Sequence, residues 1–151
     1  MEHIMEELQR AQMVPELLVS DLPRSLAFWI DVCGFETAYR REEDGFIYLN
    51  RDGAQFMLVE VRGDDYWITG PLEPPLGRGI NFEINVASID SLLDKLAAAK
   101  WPLYREPQEW WYRSDNIELG VRQFLVQDPD GYLLRFSARV GVRPVSEPLH
   151  C

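Results

Sequence analysis

Apolar and polar residues alternate strictly over 80–87, where Asn81, Glu83 and Asn85 interleave with Phe82, Ile84 and Val86. A period of two is that of a half-buried β-strand. Residues 13–20 carry a similar alternation. Each stretch leads into a helix-start signal. Asp21 and Pro23 open a helix through Val32, with Leu22, Leu26, Trp29 and Cys33 at helical spacing and Gly34 as its stop. Ser88 opens a second helix that runs to about Lys100. Three strands follow the first helix, near 35–42, 45–50 and 54–61. Three follow the second, near 103–106, 121–127 and 132–139. The Pro- and Gly-rich stretch 70–79 reads as a linker between the halves. Residues 1–12 have the makings of an amphipathic helix.

The two halves repeat each other. At an offset of 67 residues Glu16 falls on Glu83, Val19 on Val86, Asp21 on Ser88, Leu22 on Ile89 and Leu26 on Leu93. At an offset of 78, the Asp52-Gly53 turn and its strand fall on Asp130-Gly131 and the strand after it. Asp-Gly before a strand is a hairpin signal. The larger second offset places a longer connection in the second half, over Pro102 to Glu118. That segment holds Trp110, Trp111 and Tyr112. Flat rings in polar surroundings suit a planar ligand or an interface with another subunit, and both readings stay open.

Composition narrows the function. The chain has 151 residues, the size of one domain. A net charge of −10 argues against a nucleic-acid partner and is compatible with a cationic ligand. No apolar run approaches the roughly 18 residues of a membrane span. Met1 to Arg10 lacks a secretory signal, so a cytoplasmic location is expected. Cys33 reads as core and Cys151 as a free terminal thiol, which makes no disulfide framework. His3 and His150 are the only histidines, both near the ends. They offer no Cys/His zinc site and no nucleophile-histidine pair. No catalytic residue and no cofactor is expected.

Two stretches carry a family resemblance. Ser20 to Trp29 (SDLPRSLAFW), followed by Cys33-Gly34-Phe35, is similar to a strand-helix junction, and Arg122 to Tyr132 (RQFLVQDPDGY) to a closing hairpin. Together with the repeat, over about 13–139, they resemble the glyoxalase/bleomycin resistance protein/extradiol dioxygenase (vicinal oxygen chelate) superfamily. The resemblance implies an α+β fold in one domain, 13–139. It would consist of two βαβββ modules, 13–69 and 80–139, forming an open, cleft-shaped curled sheet. An N-terminal arm (1–12) and an extended C-terminal tail (140–151) would flank it. A homodimer is implied as well.

Metal-dependent members of that superfamily carry His, Glu or Gln ligands on the first and last strands of each module. The corresponding positions here are Val14, Met57, Asn81 and Arg135. Valine has no ligand atom, a thioether suits hard divalent ions poorly, and arginine brings a fixed cation. The resemblance therefore points to the metal-free bleomycin-resistance branch, whose members sequester a cationic or planar antibiotic without chemistry. Two alternatives remain. One is a metal-dependent lyase or dioxygenase with ligands among Glu16, Gln55 and Glu83. The other is a metal-free isomerase using a carboxylate such as Glu83 as base. Strand alternation sets Glu16, Gln55, Met57, Asn81, Glu83 and Arg135 on the cleft side. Glu16, Glu83 and Arg135 would recognise ligand or form an internal ion-pair cluster. Phe46 and Tyr48 would line the cleft or pack. The expected ligand-binding set is Phe46, Tyr48, Gln55, Met57, Asn81, Glu83, Trp110, Trp111, Tyr112 and Arg135.

Overall fold

The computed structural model describes residues 8–145. Strand β1 (Glu16–Val19) feeds helix α1 (Leu22–Leu26), which continues as a wider π-helical stretch (Ala27–Val32). Strands β2 (Glu36–Arg41), β3 (Phe46–Arg51) and β4 (Ala54–Glu60) follow. The second half repeats the plan with β5 (Asn81–Asn85), helix α2 (Asp90–Ala98), β6 (Arg105–Ser114), β7 (Ile117–Gln127) and β8 (Leu133–Pro144). The sheets have matching orders, β1-β4-β3-β2 and β5-β8-β7-β6, each with a parallel first pair and antiparallel pairs beyond it. Glu16 stands opposite Met57, and Glu83 opposite Arg135. The sequence offsets of 67 and 78 are thus the register of one module laid on the other. This is the α+β, two-module fold, with no closed barrel. No helix among the described residues is long and apolar enough to cross a membrane.

Local chemistry starts the first helix as expected. Asp21 accepts the Arg24 N–H at 3.1 Å, and Glu60 accepts the Leu22 N–H at 2.6 Å. Two otherwise unpaired donors of the first helical turn are thereby satisfied. The Leu22 bond, then Arg62, holds the Glu60 carboxyl below its ordinary range. The second helix differs from expectation: its cap position is Ile89, which has no side-chain cap bond, and Ser88, one residue earlier, accepts the Asp90 N–H through its Oγ at 3.2 Å.

Three expectations are corrected. Residues 105–114 are a strand, not a connection, and β8 continues past 139 to Pro144. Aromatics favour strands, and a tight turn at Asp115, whose φ is +55°, joins β6 to β7. Residues 8–12 form no helix. Residues 1–7 and 146–151 lie outside the described residues.

The chain divides into two compact units. One holds everything to Ile80 together with Asp128–Tyr132, and the other holds the rest. In the first, Trp29 is fully buried. Its ring meets Phe35 at 5.2 Å and Phe56 at 4.9 Å between centroids. Its Nε1–H donates to Asp128 at 3.2 Å. Asp128 also accepts the N–H groups of Asp130 (3.0 Å) and Tyr132 (2.8 Å), while Asp130 accepts the Ser20 hydroxyl at 2.6 Å. The Tyr132 hydroxyl donates to the Leu18 carbonyl at 2.8 Å. In the second unit Ile84, Ile89, Leu92, Leu96, Phe124, Val126, Leu134 and Phe136 are buried. Phe124 stacks on its cross-strand neighbour Phe136 at 5.5 Å.

Burial pushes the Asp128 carboxyl up to about 6, against the opposing pull of its hydrogen bonds. The folded protein therefore holds this proton more tightly than the unfolded chain, where the value is 3.8. Its contribution to stability is complete below 3.8 and lost as pH rises through about 6. Relative to Asp128→Asn, wild-type stability should decline over that window by up to about 3 kcal/mol. Urea unfolding of both proteins at several pH values measures it. Parallel pH profiles would contradict it.

Candidate functional site

On the second sheet, β5 buries Ile84 and leaves Asn81, Glu83 and Asn85 exposed. The parallel register sets Asn81 beside Leu133, Glu83 beside Arg135 and Asn85 beside Ser137. On β7, Leu125 and Gln123 stand opposite Arg135 and Ser137. On β6, Gln108 stands opposite Gln123 and Trp110 opposite Val121. Alternation therefore gathers one polar face across all four strands.

Arg135 organises it. Its Nη2 lies 2.9 Å from Glu83 Oε2, and its Nε donates to Asn81 Oδ1 at 3.1 Å. The pair is partly exposed, at 34% for Arg135 and 38% for Glu83. Glu83 and Arg135 thus form the ion pair that was one of the two alternatives, and both side chains stay partly exposed. A guanidinium has five N–H donors, more than these two partners use. Asn81, Gln108, Trp110, Gln123, Leu125 and Arg135, with the 104–106 segment, bound a concavity of about 490 Å³. Trp110 is 57% exposed at its rim. Ser137 on the same face is buried, and its Oγ has no hydrogen-bond partner.

The three consecutive aromatics separate. Trp111 projects to the opposite side of β6, where its ring covers Gly120 and lies 4.1 Å under the Arg143 guanidinium. Its Nε1–H donates to Glu109 at 3.3 Å. Tyr112 returns to the Trp110 side, opposite Leu119 and outside the concavity.

The remaining expected residues lie on the first unit. Phe46 and Tyr48 are buried in a cluster with Ala38, against which Leu8, Val14, Tyr39, Met57 and Val59 pack. Tyr39 stacks on Tyr48 at 5.2 Å. Gln55 is also buried, with its amide fully engaged. Glu16 belongs to the same unit, where it lines another concavity with Trp67 and Leu18. Gln108, Gln123 and Leu125 were not singled out from the sequence. The period-two alternation that identified the 80–87 face, applied to 121–127, would have found Gln123 and Leu125.

The four positions that the resemblance assigns to metal ligands, Val14, Met57, Asn81 and Arg135, do not fit a divalent cation. Val14 and Met57 belong to an apolar cluster. The Asn81 oxygen is already taken by a guanidinium, and that guanidinium is itself the fourth position. Among the described residues, no three His, Cys, Asp or Glu side chains gather as a ligand set.

Paired strand-helix-three-strand modules with a polar sheet face define a class of small two-module proteins. The sequence matches the glyoxalase/bleomycin resistance protein/dioxygenase superfamily over residues 2–136, and the chain belongs to that superfamily. It is similar to a bleomycin resistance protein of Geobacillus stearothermophilus, 27% identical over 139 residues, covering 85% of this chain and 97% of the relative. A bleomycin resistance protein of Staphylococcus aureus (strain N315) matches at the same identity and coverage. Among solved structures, TioX from Micromonospora sp. ML1 shares the fold with a TM-score of 0.64 at 22% identity, over 86% of this chain and 99% of that one. A virulence protein of Salmonella typhimurium does so with a TM-score of 0.65 at 17% identity, over 88% and 99%.

Proposed function

We propose that the protein sequesters a small cationic or planar antibiotic of the bleomycin type, non-covalently and without turnover, on the face of the second sheet. The observation that carries this reading is the pairing of an exposed Trp110 with a hydrogen-bonding floor of Asn81, Gln123 and Arg135 around one concavity. A flat ring at the rim supplies stacking area at little entropic cost, and the floor orients polar groups. Glu83 offers a carboxylate edge to a cationic group, and the net charge of −10 speeds encounter with a cation. Met57, Phe46, Tyr48 and Gln55 would support the first unit rather than touch drug. The relatives named for bleomycin resistance favour this reading over the enzymes of the superfamily. The protein would work in the cytoplasm. It would work there as a homodimer, for which the exposed Tyr112 and Val142 side chains offer apolar area.

Sequestration and destruction differ in stoichiometry. With bleomycin in excess over protein, the antibiotic activity lost should equal the molar amount of protein and stay constant with time. Denaturing the protein should restore it, with drug of unchanged mass. A loss that grows with time beyond the protein's molar amount would show turnover and overturn the proposal.

A further inference from the structure

The first sheet carries a second recognition geometry, and the chain itself fills it. Residues 8–12 run across the β3–β4 face. There the Gln55 side-chain amide accepts the Ala11 N–H at 2.8 Å and donates to the Gln9 carbonyl at 2.8 Å. These two backbone groups flank Arg10, whose guanidinium carbon lies 4.9 Å from the centre of the Tyr48 ring. A carbonyl before a residue and an N–H after it are the pair that a neighbouring parallel strand would engage. The Gln55 amide, one acceptor and one donor, takes that strand's place. It is locked for the purpose, since Tyr48 O–H donates to its oxygen and its nitrogen also donates to Asn50 Oδ1 at 3.2 Å.

We propose that Gln55 and Tyr48 form a recognition site for a backbone-type amide pair flanking an arginine-like cation, and that residues 9–11 occupy it from within the same chain. The arm is held by two amide hydrogen bonds, one cation–π contact and the packing of Leu8. Those contacts are set against the entropy of ordering several residues, which is of comparable size. A cavity of about 490 Å³ lies along the arm, between residues 8–12 and Asn50, Gly53 and Gln55. This open space beside the arm gives an external amide room to approach the same two atoms. This site belongs to the first unit, and the face assigned to the antibiotic belongs to the second.

The test removes the arm's grip without touching the sheet. Arg10→Ala deletes the cation, and Ala11→Pro deletes the N–H given to Gln55. The probe is N-acetylarginine N-methylamide, followed by NMR of the Gln55 side-chain amide. In the double variant, backbone amides of residues 8–12 should lose exchange protection while the melting temperature stays within about 2 °C of wild type. Half-saturation by the probe should fall at least about tenfold, because the site is no longer filled. Arg10→Ala alone should move it the same way by less. If the double variant melts about 5 °C lower or more, the arm is a fixed part of the core and the proposal fails. It also fails if the uncovered Gln55 amide does not respond to the probe.

Discussion

Gly131→Ala is expected to remove about 3 kcal/mol or more of folding stability. Gly131 has φ of +104°, where a side chain is strained before any contact is made. A Cβ there would lie 2.5 Å from Pro75 Cβ, 2.6 Å from Pro75 Cα and 2.9 Å from the Leu76 nitrogen. Two of those atoms are backbone, so no rotamer change relieves the clash. Separation would strain the Leu76 N–H bond to the Asp130 carbonyl, now 2.8 Å. It would also disturb the turn through which Asp128 and Asp130 reach Trp29 and Ser20. Urea unfolding gives the number, and a loss below about 1 kcal/mol would contradict this account of the turn.

The neighbouring tryptophans should behave oppositely. Trp110→Ala is expected to weaken bleomycin binding by about 2 kcal/mol, roughly 30-fold, with folding stability changed by no more than about 0.5 kcal/mol. Its ring is mostly exposed at the rim of the concavity. Trp111→Ala should leave affinity within about threefold and lower stability by about 1–2 kcal/mol. Its ring covers Gly120 and carries the Arg143 guanidinium on the opposite side of the strand. Calorimetric titrations paired with thermal melts of the two variants separate the roles. Equal loss of affinity in both would mean that the drug does not distinguish the two faces of β6.

Much of the fold was legible because periodicity and turn chemistry agreed. Asp21, Pro23 and Gly34 bounded the first helix by local rules that tertiary packing did not override. The repeat placed Glu16 and Glu83 at equivalent register positions before any sheet was known. The alternation over 80–87 identified the face that carries Asn81 and Glu83. What stayed hidden depended on partners distant in sequence. Trp110 and Trp111 lie one residue apart, and only the pairing of β6 with β7 assigns them to opposite sides. Phe46 and Tyr48 read equally as cleft or core, and the residues that cover them, Leu8 and Arg10, lie far off in sequence. Asp128 lies in the Asp-Pro-Asp-Gly sequence of the closing hairpin. Its role as acceptor for Trp29 spans 99 residues and leaves no local trace.

The central claim is that the second sheet binds an antibiotic and does nothing further to it. Titration calorimetry of the wild-type protein with bleomycin tests this most directly. The expected result is a saturable heat with a fixed whole-number ratio of drug to chain, and no continuing heat after saturation. Arg135→Met, which removes the guanidinium N–H donors from the floor and leaves Asn81 without its partner, is expected to weaken that binding. No measurable heat with bleomycin, or a steady heat from turnover at saturating drug, would contradict it.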